Sequence, residues 1–316
     1  MSKITDIFPF IPKSFDKETF WKGAYSSKLP SSNYLLFNWK KNTYIVENPE
    51  NTRREAVFPP HPESVYLSSL IPHPESAYLS SLIPHVKNKK TFLDVGIGSG
   101  ILSIDAAQKG WNTVGVDVNN DAIKIASINA KLNDVDAKCK FQIDDLARKQ
   151  QENSFDFCIA NLPFEPTPSD KINFIHSDGG DYGDKLIIDF IPIVEKLMKT
   201  DGFVVIPSFS LFKNNESKLE KHLKELNNTN FIKGIIRLSK PLELSLLSSR
   251  FDNSKNVYNY LKEEGYSKFV VDIGLLKKTG GETSFIGILD NSNIADKSWT
   301  MPLERGGFTK VQHKSH

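Results

Sequence analysis

The sequence predicts an α/β fold, with a mostly parallel sheet covered by helices on both faces. Three features point to it. Residues 92–100 read Phe-Leu-Asp-Val-Gly-Ile-Gly-Ser-Gly, an apolar strand that ends in an acid and turns through alternate glycines into a helix start. A second short apolar strand, residues 113–117, closes on Asp117 and is followed by an alanine- and isoleucine-rich helix, residues 122–130. Strand candidates at residues 139–143 and 155–160 continue the alternation. Strands that alternate with helices in this way build βαβ units and a parallel sheet.

The elements can be justified in chain order. Gly96, Gly98 and Gly100 allow positive φ and let a bulky ligand approach the main chain. Strand, glycine loop and helix (from Ile101) form a nucleotide-binding corner at the C-terminal edge of the sheet. A dinucleotide fingerprint needs Gly-x-Gly-x-x-Gly/Ala, and counting from Gly96 its last position falls on Ile101, so the spacing argues against a dehydrogenase. Asp117 lies about twenty residues beyond the loop, the offset at which a carboxylate reaches ribose hydroxyls. Asn119, Asn120 or Asp121 can cap the next helix. The strand at 139–143 runs into Asp144 and Asp145, and the strand at 155–160 runs into Asn161, Leu162, Pro163 and Phe164.

Further on, residues 177–184 read as a flexible polar loop, and residues 186–198 as a helix that Pro192 should kink or break. A turn at 200–202 leads to a fifth strand at 203–207. A helix at 216–226, a strand at 231–238, inserted helical structure at 242–264 and a final hairpin of residues 269–276 with 284–289 complete the pattern. Near the N-terminus, residues 34–39 and 43–46 flank a Lys40-Lys41-Asn42 turn and read as a hairpin.

These residues carry a resemblance. An acid at Asp94 followed by Gly-x-Gly-x-Gly resembles motif I of class I S-adenosylmethionine-dependent methyltransferases, and Asn161 to Phe164 resembles the Asn-Pro-Pro-Tyr/Phe motif of those acting on planar nitrogens. The release-factor glutamine N5-methyltransferase group also shows the order of Asp-Gly-Gly loop, helix, Asp-Gly turn and apolar strand. The resemblance implies a Rossmann-like, seven-stranded sheet and S-adenosyl-L-methionine as cofactor. It implies Asp94, Gly96, Gly98, Gly100, Asp117, Asp145 and Asn161 as cofactor residues, Asp145 meeting the adenine amino group. Asn161, Leu162, Pro163 and Phe164 become the catalytic set. A delocalised amide nitrogen is a poor nucleophile, and a site helps by accepting both its hydrogens, one on the Asn161 side-chain oxygen and one on the Leu162 carbonyl. Phe164 would pack on the planar group. Neither a metal nor a strong base is required. Leu162 departs from the family's first proline, which costs the loop rigidity.

The likeness is good over residues 57–207 and loose elsewhere. Residues 56–64 resemble the Pro-rich segment that lies near the cofactor in the family, with His61 where the family usually has Arg; a structural place in this cover is the reading preferred over a general base. Residues 61–72 recur at 73–84 with Ala77 in place of Val65, a tandem repeat too short for a solenoid. Both copies read as short helices, only one filling the family's single segment. The expected division is an N-terminal cap and substrate region, 1–88, and a catalytic domain, 89–316, with an insertion near 240–266.

Bulk properties narrow the choice. A net charge of +2 gives no overall basic footprint for nucleic acid, and the tail residues Arg305, Lys310, His313, Lys314 and His316 read as solvated. Cys139 and Cys158 fall in strands, which favours buried free thiols over a disulfide or zinc site. The acids at 178–184 lack a calcium-loop pattern. No leader or membrane-length apolar run is visible, so the default location is the cytoplasm. The expected function is methyl transfer to an amide or aryl amine nitrogen, with a protein glutamine as one acceptor. The alternatives are a small biosynthetic metabolite, a nucleic-acid base, or a silent scaffold that retains the pocket. The oligomeric state is left open.

Overall fold

The computed structural model describes residues 2–8, 10–11, 25–28, 34–47, 55–57, 60, 62–74, 90–167, 178–249 and 254–295. His61, the second repeat copy beyond Pro74 and the basic tail lie outside them. At the N-terminus are helix α1 (Ser2–Ile7) and a three-stranded antiparallel sheet of β1 (Tyr25–Lys28), β2 (Tyr34–Trp39) and β3 (Asn42–Glu47), then helix α2 (Pro62–Leu70). The alternating core follows as β4 (Thr91–Val95), α3 (Ile101–Lys109), β5 (Asn112–Asp117), α4 (Asn120–Leu132), β6 (Cys139–Ile143), β7 (Phe155–Ala160), α5 (Lys185–Leu197) and β8 (Met198–Lys213). The rest is β9 (Glu216–Ser217), α6 (Lys218–Glu225), β10 (Phe231–Arg237), β11 (Leu242–Glu243), a 3-10 turn at Leu244–Ser249, α7 (Ser254–Glu263), β12 (Lys268–Lys278) and β13 (Ser284–Asp290).

The main sheet runs β13-β10-β12-β8-β7-β4-β5-β6, with β9 on β8 and β11 on β12. Strands β6, β5, β4, β7 and β8 are parallel to one another. Helices cover both faces, which is why β7 is buried at every position and needs no apolar–polar alternation. Strand β4 pairs with β5 on one side and β7 on the other, so consecutive connections leave it in opposite directions. That reversal opens a crevice at the carboxyl ends of β4 and β7, the place where such sheets bind ligands.

The expected C-terminal hairpin of residues 269–276 with 284–289 does not form. β12 pairs antiparallel with β8 and β10, while β13 lies parallel to β10, which separates the two expected partners. β12 is buried from Phe269 to Leu276, so an interior place suits it better than an edge. The connector is held at the start of β10, where Thr279 N–H donates to the Asn230 carbonyl at 2.8 Å. Among the described residues the sheet thus has ten strands, eight along its main path with β13 at the edge and the short β9 and β11 beside it, against the expected seven.

Two local expectations also change. β8 continues past Pro207 to Lys213, because its long ladder with β12 outlasts the one donor that proline removes. α5 passes through Pro192 unbroken, held by Ile187, Phe190, Ile191, Val194 and Leu197 packed beneath it.

The N-terminal hairpin forms as expected and docks behind the glycine loop. Lys40 pairs with Asp105 of α3 at 2.9 Å. Asn129 of α4 accepts from Ile45 N–H at 2.7 Å and donates to the carbonyls of Ile45 and Ser99, at 2.9 and 2.8 Å. Phe8, Phe37 and Trp39 share one apolar cluster with Phe92 and Phe157. Within the first repeat copy, Tyr66, Leu67 and Leu70 are fully buried, and the Pro72 carbonyl accepts from the Trp111 indole at 2.7 Å. Removing residues 73–84 is therefore expected to leave a cooperative melt, since the first copy keeps its anchors. A thermal melt showing an unfolded protein would contradict this.

Candidate functional site

The three glycines of the loop after β4 do three different things. Gly96 has φ +77°, and a Cβ there would lie 2.7 Å from the Asn161 carbonyl oxygen. At Gly100, φ +85°, a Cβ would lie 2.9 Å from Ala126 of α4. Gly98, φ +52°, has no neighbour within 4 Å of the added atom. So the outer two permit close backbone packing, and the middle one faces a cavity of about 440 Å³, within the usual size of small-ligand pockets. Ala56, Val57, Glu63, Ser64 and Phe209 lie on its other walls.

Asp117 closes β5 at the cavity wall. One of its oxygens accepts from Gly98 N–H at 3.1 Å and the other from Asn119 N–H at 2.9 Å. Each oxygen retains a lone pair, enough for two vicinal hydroxyls. Burial raises its pKa above the usual carboxylate range, against the pull of those N–H groups. Beside it, Val118 is a 53 % exposed apolar side chain facing the cavity, suited to a flat base. Of the next two acids, Asp144 is spent on its own turn, accepting from Lys149 N–H at 3.0 Å and Gln150 Nε2 at 2.7 Å. Asp145 is exposed at the cavity lip, with only a 3.4 Å pair to Arg148.

The loop after β7 faces the glycine loop across the crevice. Asn161 N–H donates to the Val95 carbonyl at 3.0 Å, and its own carbonyl lies against Gly96. Leu162 is buried in the core, and Phe164 packs on Phe209 with ring centroids 4.8 Å apart. Asn161, Leu162, Pro163, Phe164 and Glu165 all line the cavity, as does Asp178. The loop described as flexible from sequence is instead packed tightly here: Gly179 N–H donates to the Glu165 carbonyl at 3.0 Å. Sequence reasoning missed Glu165, Asp178 and Phe209. Glu165 directly follows the motif and could have been found; Phe209 was hidden by ending the strand at Pro207.

Asp94 does not line the cavity. It is buried beneath the loop, where one oxygen accepts from Ser103 N–H at 3.0 Å and Ser103 Oγ at 2.8 Å; the other has no hydrogen-bond partner. Burial pushes its pKa up to about 7 despite those bonds, and the Asp117 charge adds to the rise. The fold thus holds a proton there that the unfolded chain, with a pKa of about 3.9, gives up. This group's stabilisation is complete below pH ~4 and is lost as pH rises through about 7. Asp94→Asn should flatten the dependence of stability on pH in that window, by an amount on the order of a few kcal/mol. Urea midpoints at pH 5 and pH 8 measure it; equal slopes in both proteins would refute the role given to Asp94. Both cysteines are free, Cys158 buried and Cys139 only partly so, a departure from the expected pair of buried thiols.

Residues 76–167 match the family model of ribosomal protein L11 methyltransferase (PrmA). A Methanocaldococcus jannaschii chain, provisionally named a protein N5-glutamine methyltransferase, is 38 % identical over 138 residues, covering 42 % of this chain and 68 % of that one. This chain belongs to the class I S-adenosyl-L-methionine-dependent methyltransferases. The Syntrophomonas wolfei ribosomal protein L11 methyltransferase is 32 % identical over 124 residues, or 38 % of this methyltransferase and 40 % of its own length. A Pyrococcus horikoshii structure provisionally titled a transferase superposes with a TM-score of 0.46 at 13 % identity, over 79 % of this chain and 74 % of that one.

The cofactor of the methyltransferase is S-adenosyl-L-methionine. The residues present fit it: an open cradle at Gly98, a two-oxygen acceptor at Asp117, an exposed apolar Val118 and an exposed carboxylate at Asp145. Among the described residues no helix is long and apolar enough to cross a membrane.

Proposed function

We propose that this methyltransferase acts on a planar nitrogen, and that its acceptor is the side-chain amide of a glutamine in a protein. The observation that carries the reading is the pinning of Asn161 between the end of β4 and Gly96. Its backbone is spent on that contact, and the residue lines the cavity. The Asn161 side-chain oxygen would accept one acceptor N–H and the Leu162 carbonyl the other, orienting the nitrogen lone pair. Phe164, packed on Phe209 with the two rings tilted by 47°, would bound the flat amide on one side.

The cofactor, when bound, supplies an electrophilic methyl on a sulfonium. Gly98 and Asp117 would hold its nucleoside, and Asp145 its base. What the chain contributes is alignment and dipoles placed where charge develops. A proton can leave the nitrogen after transfer, so no strong base need stand beside it. The provisional name of the M. jannaschii relative supports a glutamine acceptor. The described lining residues include six carboxylates, Glu63, Asp117, Asp144, Asp145, Glu165 and Asp178, and no Lys, Arg or His. Setting aside Asp117, Asp144 and Asp145, which face the cofactor or their own turn, the remaining three disfavour a phosphate backbone, which supports protein over nucleic acid.

The test is transfer of an isotope-labelled methyl group to a cell extract separated into protein, RNA and small-molecule fractions. The expected result is label in protein, with mass spectrometry locating the added methyl on a glutamine side chain. Label confined to RNA or to small molecules would overturn the reading.

A further inference from the structure

With Leu162 in the loop, φ at that position is not fixed by a ring, and other contacts have to hold the acceptor loop at its height. The structure shows such contacts just past Phe164. Thr167 Oγ1 donates to Asp178 Oδ1 at 2.6 Å, and Thr167 N–H donates to the Gly180 carbonyl at 2.8 Å. In return, Gly179 N–H donates to the Glu165 carbonyl at 3.0 Å. The same Asp178 oxygen accepts from Gly180 N–H at 3.1 Å, so the carboxylate is oriented by its own loop before it reaches across. A single carboxyl oxygen has two lone pairs, enough to accept both bonds at once.

Steric fit closes the joint from the other side. A Cβ on Gly179 would lie 2.9 Å from the Phe164 carbonyl carbon, and one on Gly183 would collide with the Phe164 carbonyl oxygen. The 178–184 loop is itself anchored. Lys185 N–H donates to the Gly179 carbonyl at 3.1 Å, and Asp184 meets His222 and Lys218 of α6 at 2.7 and 3.1 Å.

We propose that Asp178 is a positioning residue: through Thr167 and Gly180 it clasps the Phe164–Glu165 backbone and so sets the Asn161 amide at its working distance from the methyl donor. This rests on the reading that Asn161 receives the acceptor nitrogen. Misplacement by about 1 Å costs on the order of 10²-fold in such an alignment.

Asp178→Ala, Asp178→Asn and Thr167→Val test it. The asparagine keeps an oxygen that can accept from both Thr167 and Gly180; the alanine does not. Hydrogen exchange is followed in protein saturated with S-adenosylhomocysteine. Segments 161–167 and 178–184 are expected to exchange at least about tenfold faster in Asp178→Ala and Thr167→Val, with segment 91–100 unchanged. Asp178→Asn should behave as the parent. Calorimetric affinity for S-adenosylhomocysteine should stay within about twofold in all three, which also verifies that they are folded. On a glutamine peptide that the parent enzyme labels, kcat should fall about 10²-fold in the first two variants, with KM nearly constant, and recover in Asp178→Asn. Unchanged exchange or unchanged kcat in Asp178→Ala, or equal damage in Asp178→Asn, overturns the proposal. A parent enzyme that labels no glutamine peptide overturns the acceptor reading instead, and the exchange measurements alone then decide for or against the clasp.

Discussion

Replacing Asp117 by alanine should weaken S-adenosyl-L-methionine binding by about 10²–10⁴-fold, the loss of two hydrogen bonds to a charged group at ~1.5–3 kcal/mol each. The figure follows from the geometry. Both oxygens are already positioned by N–H groups, Gly98 for one and Asn119 for the other, so the carboxylate is aimed before any ligand arrives. Little ordering is then left to be done on binding, and most of the interaction appears as affinity. Removing the carboxylate also frees Gly98 N–H inside the cradle. The fold should survive, because Asp117 ends its strand at the cavity rather than in the core. Titration calorimetry with S-adenosylhomocysteine measures the change. Affinity within threefold of the parent would remove Asp117 from the proposed cofactor set.

Asn161→Ala should show the opposite profile. Turnover is expected to fall by about 10²–10³-fold, the usual cost of deleting one preorganised hydrogen-bonding group at a reacting centre. Cofactor affinity should hardly move. The Asn161 backbone would keep its bond to Val95 and its contact with Gly96, neither of which uses the side chain. Steady-state kinetics on a labelled glutamine peptide, beside calorimetry on the same preparation, separates the two effects. Equal turnover in parent and variant would exclude the side-chain amide from the reaction.

Much of the cavity wall could be read before the structure, for a physical reason. A strand, a glycine turn and a helix are adjacent in the chain, and the acid that meets them is one βα unit away. Spacing alone therefore places Gly96, Gly98 and Asp117 at the cavity, whereas Gly100, also expected there, packs on Ala126 of α4 and does not line it. Asn161 was legible in the same way, at the end of the strand beside β4. Asp94 was legible as a residue but not as to its place, because an acid at a strand end can point into the crevice or beneath the loop. The order of β12, β10 and β13 was not legible. It depends on which strand has two apolar faces to bury, and a five-residue connector is as compatible with a hairpin as with a crossing over β10. The pairing of Asp178 with Thr167 was hidden for the same reason, since loop-to-loop contacts leave no periodicity in the chain.

One contact, the bare α-carbon of Gly96 against the peptide of Asn161, has a consequence for how this enzyme can diversify. On the proposed reading, the gap between donor and recipient is framed by these two main chains and steadied by the clasp of Asp178 on Thr167. Lining side chains outside that frame could then change with the acceptor while the spacing of the two main chains is kept. On that reading, selectivity and reactivity would rest largely on different parts of the polymer.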